Sequence, residues 1–201
     1  AQYRLEARAL RALSYYWIID LFGKGGFVDE KTVTPVQWSR FDLYNWLVNE
    51  LEDIVANYST ATPVYGRVGK DGVQALLARL YLNAKVYTDG AVNGASKCQQ
   101  HCEEIIGRHQ GEGFQGTGLV DHYMYLFCGD NDSYLPGGKG VNEVLWGVPL
   151  DSDEAQSYGA TTFFTAAATK NMTMADDKAY MNQLDYGMGA QWGCMHARKE
   201  F

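Results

Sequence analysis

The 201-residue sequence lacks several features that would narrow its function directly. It has no apolar run approaching the roughly 20 residues that a membrane-spanning helix needs. Lysine and arginine total only 17 against 24 aspartate and glutamate residues. The resulting net charge of -7 argues against nucleic acid as a partner and against adsorption to anionic lipid. What is present, 46% hydrophobic residues, is enough for one domain with a sizeable core.

Cysteine is also scarce, with four residues in the chain. Four widely spaced cysteines are too few for a disulfide framework. Cys98 and Cys102 lie one helical turn apart, but Cys128 and Cys194 are distant in sequence, and a metal site needs more ligands nearby. We therefore expect buried thiols, with no metal and no cofactor.

Recognisable catalytic motifs are missing as well. The sequence contains no P-loop, no dinucleotide-binding glycine fingerprint, no nucleophile elbow and no zinc-protease motif. Within the stretch "GDNDSYLPGGKG", the residues from Asp130 begin like a calcium loop. Counted from Asp130, however, the sixth position is Leu135 rather than glycine and the twelfth is Val141 rather than glutamate. The sequence predicts a solvated turn at this point.

Apolar residues recur at helical spacing in the first half of the chain, which predicts four helices. Two of them have capping residues: Ser39 with Asp42, and Ser96 with Gln99. The predicted helices run from about Tyr3 to Phe22, after Ser39, within 65–88 from Val73 to a stop at Asp89-Gly90, and after Ser96.

The order of these helices predicts a mainly α fold of tetratricopeptide-like helix pairs, an αα-superhelix. We expect one incomplete domain over 1–201, with a helical scaffold in 1–110 and an irregular, aromatic-rich, ligand-binding part in 111–201. The best strand candidate is "EVLWGVPL", residues 143–150, whose alternation places Val144 and Trp146 on one face.

Aromatic residues make up 13% of the chain, with 14 tyrosines and 5 tryptophans. Sugars present apolar C–H faces that stack on such rings, and their hydroxyls need polar side chains beside them. Because loops held by a rigid scaffold often carry binding sites, we predict a glycan site in the second half. The candidate residues are Trp192, Tyr158, Tyr186 and Phe164, with Asp185 and Gln191 as polar partners.

Five segments in order resemble the SusD/RagB family and together cover nearly the whole chain. They are "EARALRALSYYWIIDLFG", "RFDLYNWLVNELEDIV", "YGRVGKDGVQALLARLYLNAKVYT", "YLFCGDNDSY" followed by "NEVLWGV", and "WGCMHARKEF". The third is the most recognisable, because a Gly-Arg turn leads into a Leu-Leu-Ala-Arg-x-Tyr-Leu helix.

The resemblance implies a non-catalytic, surface-exposed lipoprotein of the Bacteroidetes outer membrane. Such proteins capture glycans for a SusC-like TonB-dependent transporter, and their scaffold is built of tetratricopeptide-like helix pairs. The chain begins in helical rhythm and ends without a helix stop, so we expect a piece of a longer protein. The lipid anchor is expected outside this piece.

Two other functions remain open at this stage. In the first, the helix pairs form a protein-interaction scaffold without a sugar site. In the second, the chain is a hydrolase that uses Asp151, Asp153 or Glu154, since glycosidases need two carboxylates about 5 to 10 Å apart.

Overall fold

The fold is described from a computed structural model of the chain. The description covers residues 2–61, 63–109, 119–120, 122–135, 137–138 and 143–150, and also 163, 166, 167, 192, 194 and 195. The chain divides into two compact units, residues 1–148 and 149–201, which are described separately. The predicted subdivision at residue 110 stays a prediction.

The elements of the first unit are mostly helices, as predicted. The α-helices are α1 (Gln2–Phe22), α2 (Arg40–Asn57), α3 (Lys70–Leu82), α4 (Ala84–Tyr87) and α5 (Ala95–His109). The strands are β1 (Gly25–Phe27) and β2 (Val36–Trp38), and two 3-10 helices follow at Tyr123–Phe127 and Asn131–Tyr134. In sequence order α1 packs on α2, α2 on α3 and α3 on α5. The predicted arrangement of two helix pairs is confirmed.

The start of α2 confirms the predicted capping box. The Ser39 hydroxyl accepts a hydrogen bond from the Asp42 backbone N–H at 3.2 Å, and the Asp42 carboxylate accepts one from the Ser39 N–H at 3.1 Å. Two backbone donors that the helix would leave unpaired are thereby satisfied.

The predicted cap of the fourth helix is wrong. Helix α5 begins at Ala95, so Ser96 lies inside its first turn. Its first backbone bonds run instead from the Cys98 N–H to the Gly94 carbonyl, and from the Ala95 N–H to the Asn93 side chain. A Cβ on Gly94 would lie 2.1 Å from the Tyr81 carbonyl oxygen, so only glycine permits this approach.

The third predicted helix is divided in two at Asn83. The Asn83 side chain donates to the Arg79 carbonyl at 3.2 Å, a local bond that competes with the regular helix pattern. Helix α4 then runs for one turn, and positive φ at Asp89 (50°) and Gly90 (86°) turns the chain away. The predicted stop at these two residues is confirmed.

The strand prediction for 143–150 is wrong. The described segment 143–150 has no strand, and its Trp146 Cβ and Leu145 carbonyl lie against Gly72 of α3. Leu145 and Trp146 thus pack on a helix, whereas Val148 is exposed. The strands lie instead in the segment between α1 and α2, where Gly25 pairs with Trp38 in an antiparallel ladder. The Phe27 and Trp38 rings stack there with centroids 3.6 Å apart.

The core of the first unit lies between α1, α2 and α3. Its largest fully buried side chains include Ile19, Leu43, Leu47, Leu51, Ile54, Leu77 and Leu80. Several tyrosines of the scaffold are also buried, and two of their hydroxyls have partners within it: Tyr81 donates to Glu52 at 2.7 Å, and Tyr58 donates to the Val68 carbonyl at 2.6 Å. None of the helices described here has the length and apolar character required to cross a bilayer.

Candidate functional site

The structure describes one of the six predicted glycan-binding residues. Of the six, Trp192 lies within the described part of the chain. The others lie outside the described residues: Tyr158, Phe164, Asp185, Tyr186 and Gln191. The same holds for Asp151, Asp153 and Glu154, the carboxylates of the hydrolase alternative.

Trp192 belongs to the second unit, where its indole is 45% exposed. Its backbone N–H donates to the Ala166 carbonyl at 2.8 Å, and the Met195 N–H donates to the Ala167 carbonyl at 2.9 Å. Both alanines are buried and helical, so these two bonds tie the backbone at Trp192 and Met195 to buried backbone. The backbone is thereby fixed while the indole stays accessible.

A second ring lies beside this indole. The Phe163 and Trp192 centroids are 5.9 Å apart, with an interplanar angle of 64°, and Phe163 is 42% exposed. This edge-to-face arrangement is one that aromatic pairs prefer. We name Phe163 and Trp192 the indole surface. Two accessible rings at this angle can contact an apolar ligand from two directions.

The first unit carries another group of accessible rings, in the 3-10 helix Tyr123–Phe127. Tyr123 and Phe127 are about 70% exposed, and their rings meet edge to face with centroids 5.1 Å apart. His122 and Tyr125 form a similar contact at 5.2 Å. We name residues 122–127 the tyrosine surface. This segment lies in the part of the chain predicted to bind a ligand, but none of its residues is among the predicted site residues.

Local hydrogen bonds hold the tyrosine surface in place. The Tyr125 N–H donates to the His122 carbonyl at 2.9 Å, which closes the 3-10 turn. The Asn131 side-chain amide donates to the Leu126 carbonyl at 2.8 Å and ties the two 3-10 helices together. The density of rings in "HYMYLF" was the signal for this surface, but sequence spacing does not distinguish exposed rings from core rings.

His101, His109 and most of the described ion pairs belong to contacts between helices. Gln74 of α3 is fully buried, and its amide nitrogen donates to Glu104 at 2.6 Å and contacts His101 Nδ1 at 3.1 Å, both on α5. Asp71 of α3 accepts from Arg108 of α5 at 2.6 Å. These polar contacts join α3 to α5.

A second charged group joins α1 to α2. Glu50 of α2 accepts from Arg8 at 2.7 Å and from Arg11 at 2.9 Å, both on α1. Burial disfavours the charged form of Glu50, but the hydrogen bonds from the two arginines outweigh it and lower its pKa. This charged group holds the two helices together.

The potential metal ligands among the described residues are not clustered. Within the part of the chain that the structure covers, no three histidine, cysteine, aspartate or glutamate side chains converge on one point. Asp130 and Asp132 of the rejected calcium-loop sequence lie at the second 3-10 helix.

Comparison with known proteins gives one clear relative in sequence. The chain is 34% identical over 162 residues to the starch-binding protein SusD of Bacteroides thetaiotaomicron. The match covers 80% of this chain and 27% of the relative. The chain thus spans about a quarter of the length of this relative. No family model matches the chain.

Solved structures agree in fold. A SusD-like protein of Bacteroides fragilis has a TM-score of 0.52 at 20% identity, covering 75% of this chain and 27% of that one. Surface glycan-binding protein A of Bacteroides uniformis has a TM-score of 0.50 at 20% identity, covering 72% and 30%. The helical fold described above is similar to that of these two structures. The predicted resemblance to the SusD/RagB family is therefore confirmed in sequence and in its mainly helical fold.

Proposed function

We propose that this chain is part of a protein that binds carbohydrate without turning it over. The observation that carries the proposal is the half-exposed indole of Trp192, held beside Phe163 on a hydrogen-bonded backbone. The similarity to a starch-binding protein supports the choice of carbohydrate over other ligands with flat apolar faces.

The chemistry of a sugar suits such a surface. A pyranose ring presents C–H groups on its faces and hydroxyls around its edge, so ring stacking supplies contact area and nearby polar groups supply orientation. Asp185 and Gln191 are close to Trp192 in sequence and remain our proposed polar partners, with Tyr158, Phe164 and Tyr186 as further rings.

The wider setting follows from the family resemblance. We propose that the whole protein is a surface-exposed lipoprotein of the outer membrane that passes glycan to a SusC-like TonB-dependent transporter. The support for this is the similarity to SusD, together with the fold likeness to a protein described as a surface glycan-binding protein. The proposal includes no catalytic step.

The test is affinity gel electrophoresis against a panel of soluble polysaccharides that includes starch. We expect at least one polysaccharide to retard the chain, and Trp192→Ala to abolish the retardation. The matched control is Trp17→Ala, because Trp17 is exposed to a similar degree (48%) but lies on α1 of the scaffold. Equal retardation of the Trp192→Ala variant and the parent chain would refute the placement of the site.

Variants of the tyrosine surface locate the site further. If glycan contacts only the indole surface, Tyr123→Ala and Phe127→Ala leave retardation unchanged while Phe163→Ala weakens it. The opposite pattern would move the site to residues 122–127. Helical content measured by circular dichroism shows that each variant is folded before its binding is interpreted.

A protein-interaction scaffold is the second candidate, and one observation favours it. Leu10, Trp17 and Leu21 are all exposed and recur at helical spacing on the outer face of α1. An apolar stripe of this kind suits a partner helix. If this is the function, Trp17→Ala abolishes capture of the partner chain in a pull-down, Trp192→Ala has no effect on that capture, and no polysaccharide retards the parent chain.

A further inference from the structure

The contact between α3 and α5 leaves an apolar groove in the first unit. The groove has a volume of about 340 Å³, and Arg79 is the one charged residue that lines it. The remaining lining residues are Ala75, Ala78, Leu82, Cys98, Cys102, Ile105, Ile106 and Leu145. Two of the four cysteines of the chain thus line the same cavity, a feature that the carbohydrate proposal does not use.

The two thiols are neighbours on one face of α5. Residues four apart on a helix have Cβ atoms about 5 to 6 Å from each other. Cys98 is half-buried and Cys102 is exposed, and neither forms a disulfide. Burial raises the pKa of Cys98, and the adjacent Cys102 thiol raises it further, so that Cys98 is an un-ionised thiol at neutral pH.

A disulfide does not suit this geometry. A disulfide requires Cβ atoms roughly 3.5 to 4.5 Å apart, which is shorter than the helical spacing of these residues. A link with one additional atom between the sulfurs spans a longer distance. The pair therefore fits a single soft atom that bonds to both sulfurs.

We propose that Cys98 and Cys102 form a dithiol site for a trivalent aryl arsenical, whose ring occupies the apolar groove between α3 and α5. In the reaction an arylarsonous acid, R–As(OH)₂, loses two hydroxyl groups as two waters. The two S–H protons leave with them, and two As–S bonds replace two As–O bonds. No atom changes oxidation state.

The lining favours a ligand that carries an apolar ring over a bare metal ion. Apart from Arg79 and the two thiols, the lining side chains are Ala, Leu and Ile, which offer a metal ion no further ligand. The arsenic needs only the two sulfurs from the protein, because its third bond is to the ring carbon. The aryl ring gains from removal of its surface from water.

The experiment uses phenylarsine oxide, which hydrates to the arsonous acid, and the reduced chain in an excess of 2-mercaptoethanol. Intact-mass spectrometry is expected to show one phenylarsenic group per chain that resists the monothiol and is released by 2,3-dimercaptopropanol. Cys98→Ser and Cys102→Ser each abolish this adduct. Cys128→Ser and Cys194→Ser, the matched controls, retain it.

Loss of the adduct in either control, or its survival in Cys98→Ser, would overturn the assignment. The part played by the groove is tested separately with a methylarsenical, which lacks the ring. We expect the phenyl compound to dissociate roughly tenfold more slowly, because about 1.4 kcal/mol of apolar burial corresponds to that ratio. Ile106→Asn removes the difference. An unchanged ratio in this variant would place the ring outside the groove.

Discussion

The hydroxyl of Tyr87 donates a 2.6 Å hydrogen bond to the carboxylate of Asp20, across 67 residues of sequence. It joins the single turn of α4 to the end of α1. Burial raises the pKa of Tyr87, and the bond to Asp20 raises it further. The phenol therefore keeps its proton at neutral pH and remains a hydrogen-bond donor. The ring itself is buried beside that of Tyr44.

Removal of this hydroxyl in Tyr87→Phe is expected to lower the free energy of unfolding by about 1 kcal/mol. A hydrogen bond to a charged group contributes more than this when both partners are buried, but Asp20 is exposed and regains water. Urea unfolding measures the change. Tyr3→Phe, at a largely exposed position on α1, is the control and should leave the midpoint unchanged.

The capping box of α2 gives a second prediction. Ser39→Ala removes the side-chain acceptor of the Asp42 N–H and should cost about 1 kcal/mol of stability. Ser96→Ala is the matched change at a serine that the sequence marked as a cap but that lies inside α5. An equal loss of stability in both variants, measured by thermal unfolding, would contradict the observed start of α5.

Gly94 and Gly107 give opposite predictions for the same substitution. Gly94→Ala would bring a methyl group against the Tyr81 carbonyl, so we expect a loss of about 2 kcal/mol or more. Gly107, inside α5, has no neighbour within 4 Å of a new Cβ, and Gly107→Ala should stabilise the chain by about 0.5 to 1 kcal/mol. Chemical unfolding of the two variants side by side checks both signs.

The fourth prediction concerns how stability changes at acidic pH. The folded-state pKa of Glu50 is lowered below its ordinary value of 4.5, so its contribution to stability is complete above that value. The contribution is lost as the pH falls through the lowered pKa. Glu50→Gln should therefore be less stable than the parent chain at pH 7, with a difference that shrinks below about pH 4.5.

Urea unfolding at several pH values between 7 and 3 measures this convergence. Glu103→Gln, an exposed position on α5, serves as the control and is expected to follow the parent curve. A Glu50→Gln curve that runs parallel to the parent at all pH values would exclude the charge of Glu50 as the source of the effect.

Local patterns in the sequence determined most of the helical scaffold. Periodic apolar residues located α1, α2, α3 and α5, and the Ser39–Asp42 box placed the start of α2. These features involve residues three or four apart, whose contacts depend only on the helix itself. The order of five quoted segments also sufficed for the family resemblance.

Tertiary contacts decided what the local patterns could not. The strands at 25–27 and 36–38 exist because each pairs with the other, while Leu145 and Trp146 of the strand-like sequence 143–150 pack on α3 instead. The start of α5 depends on Gly94 fitting against a carbonyl 13 residues earlier. Such contacts join residues whose separation in sequence carries no periodic signal.

The same limit applies to the candidate sites. Tyr81 and Tyr123 are the same residue type in aromatic-rich segments, yet the first is buried in the scaffold and the second is 72% exposed. The aromatic content of the sequence indicated only that the chain has rings on which a ligand can stack. Which rings meet water depends on what the rest of the chain packs against them, because burial is a property of the folded surface and not of the residue.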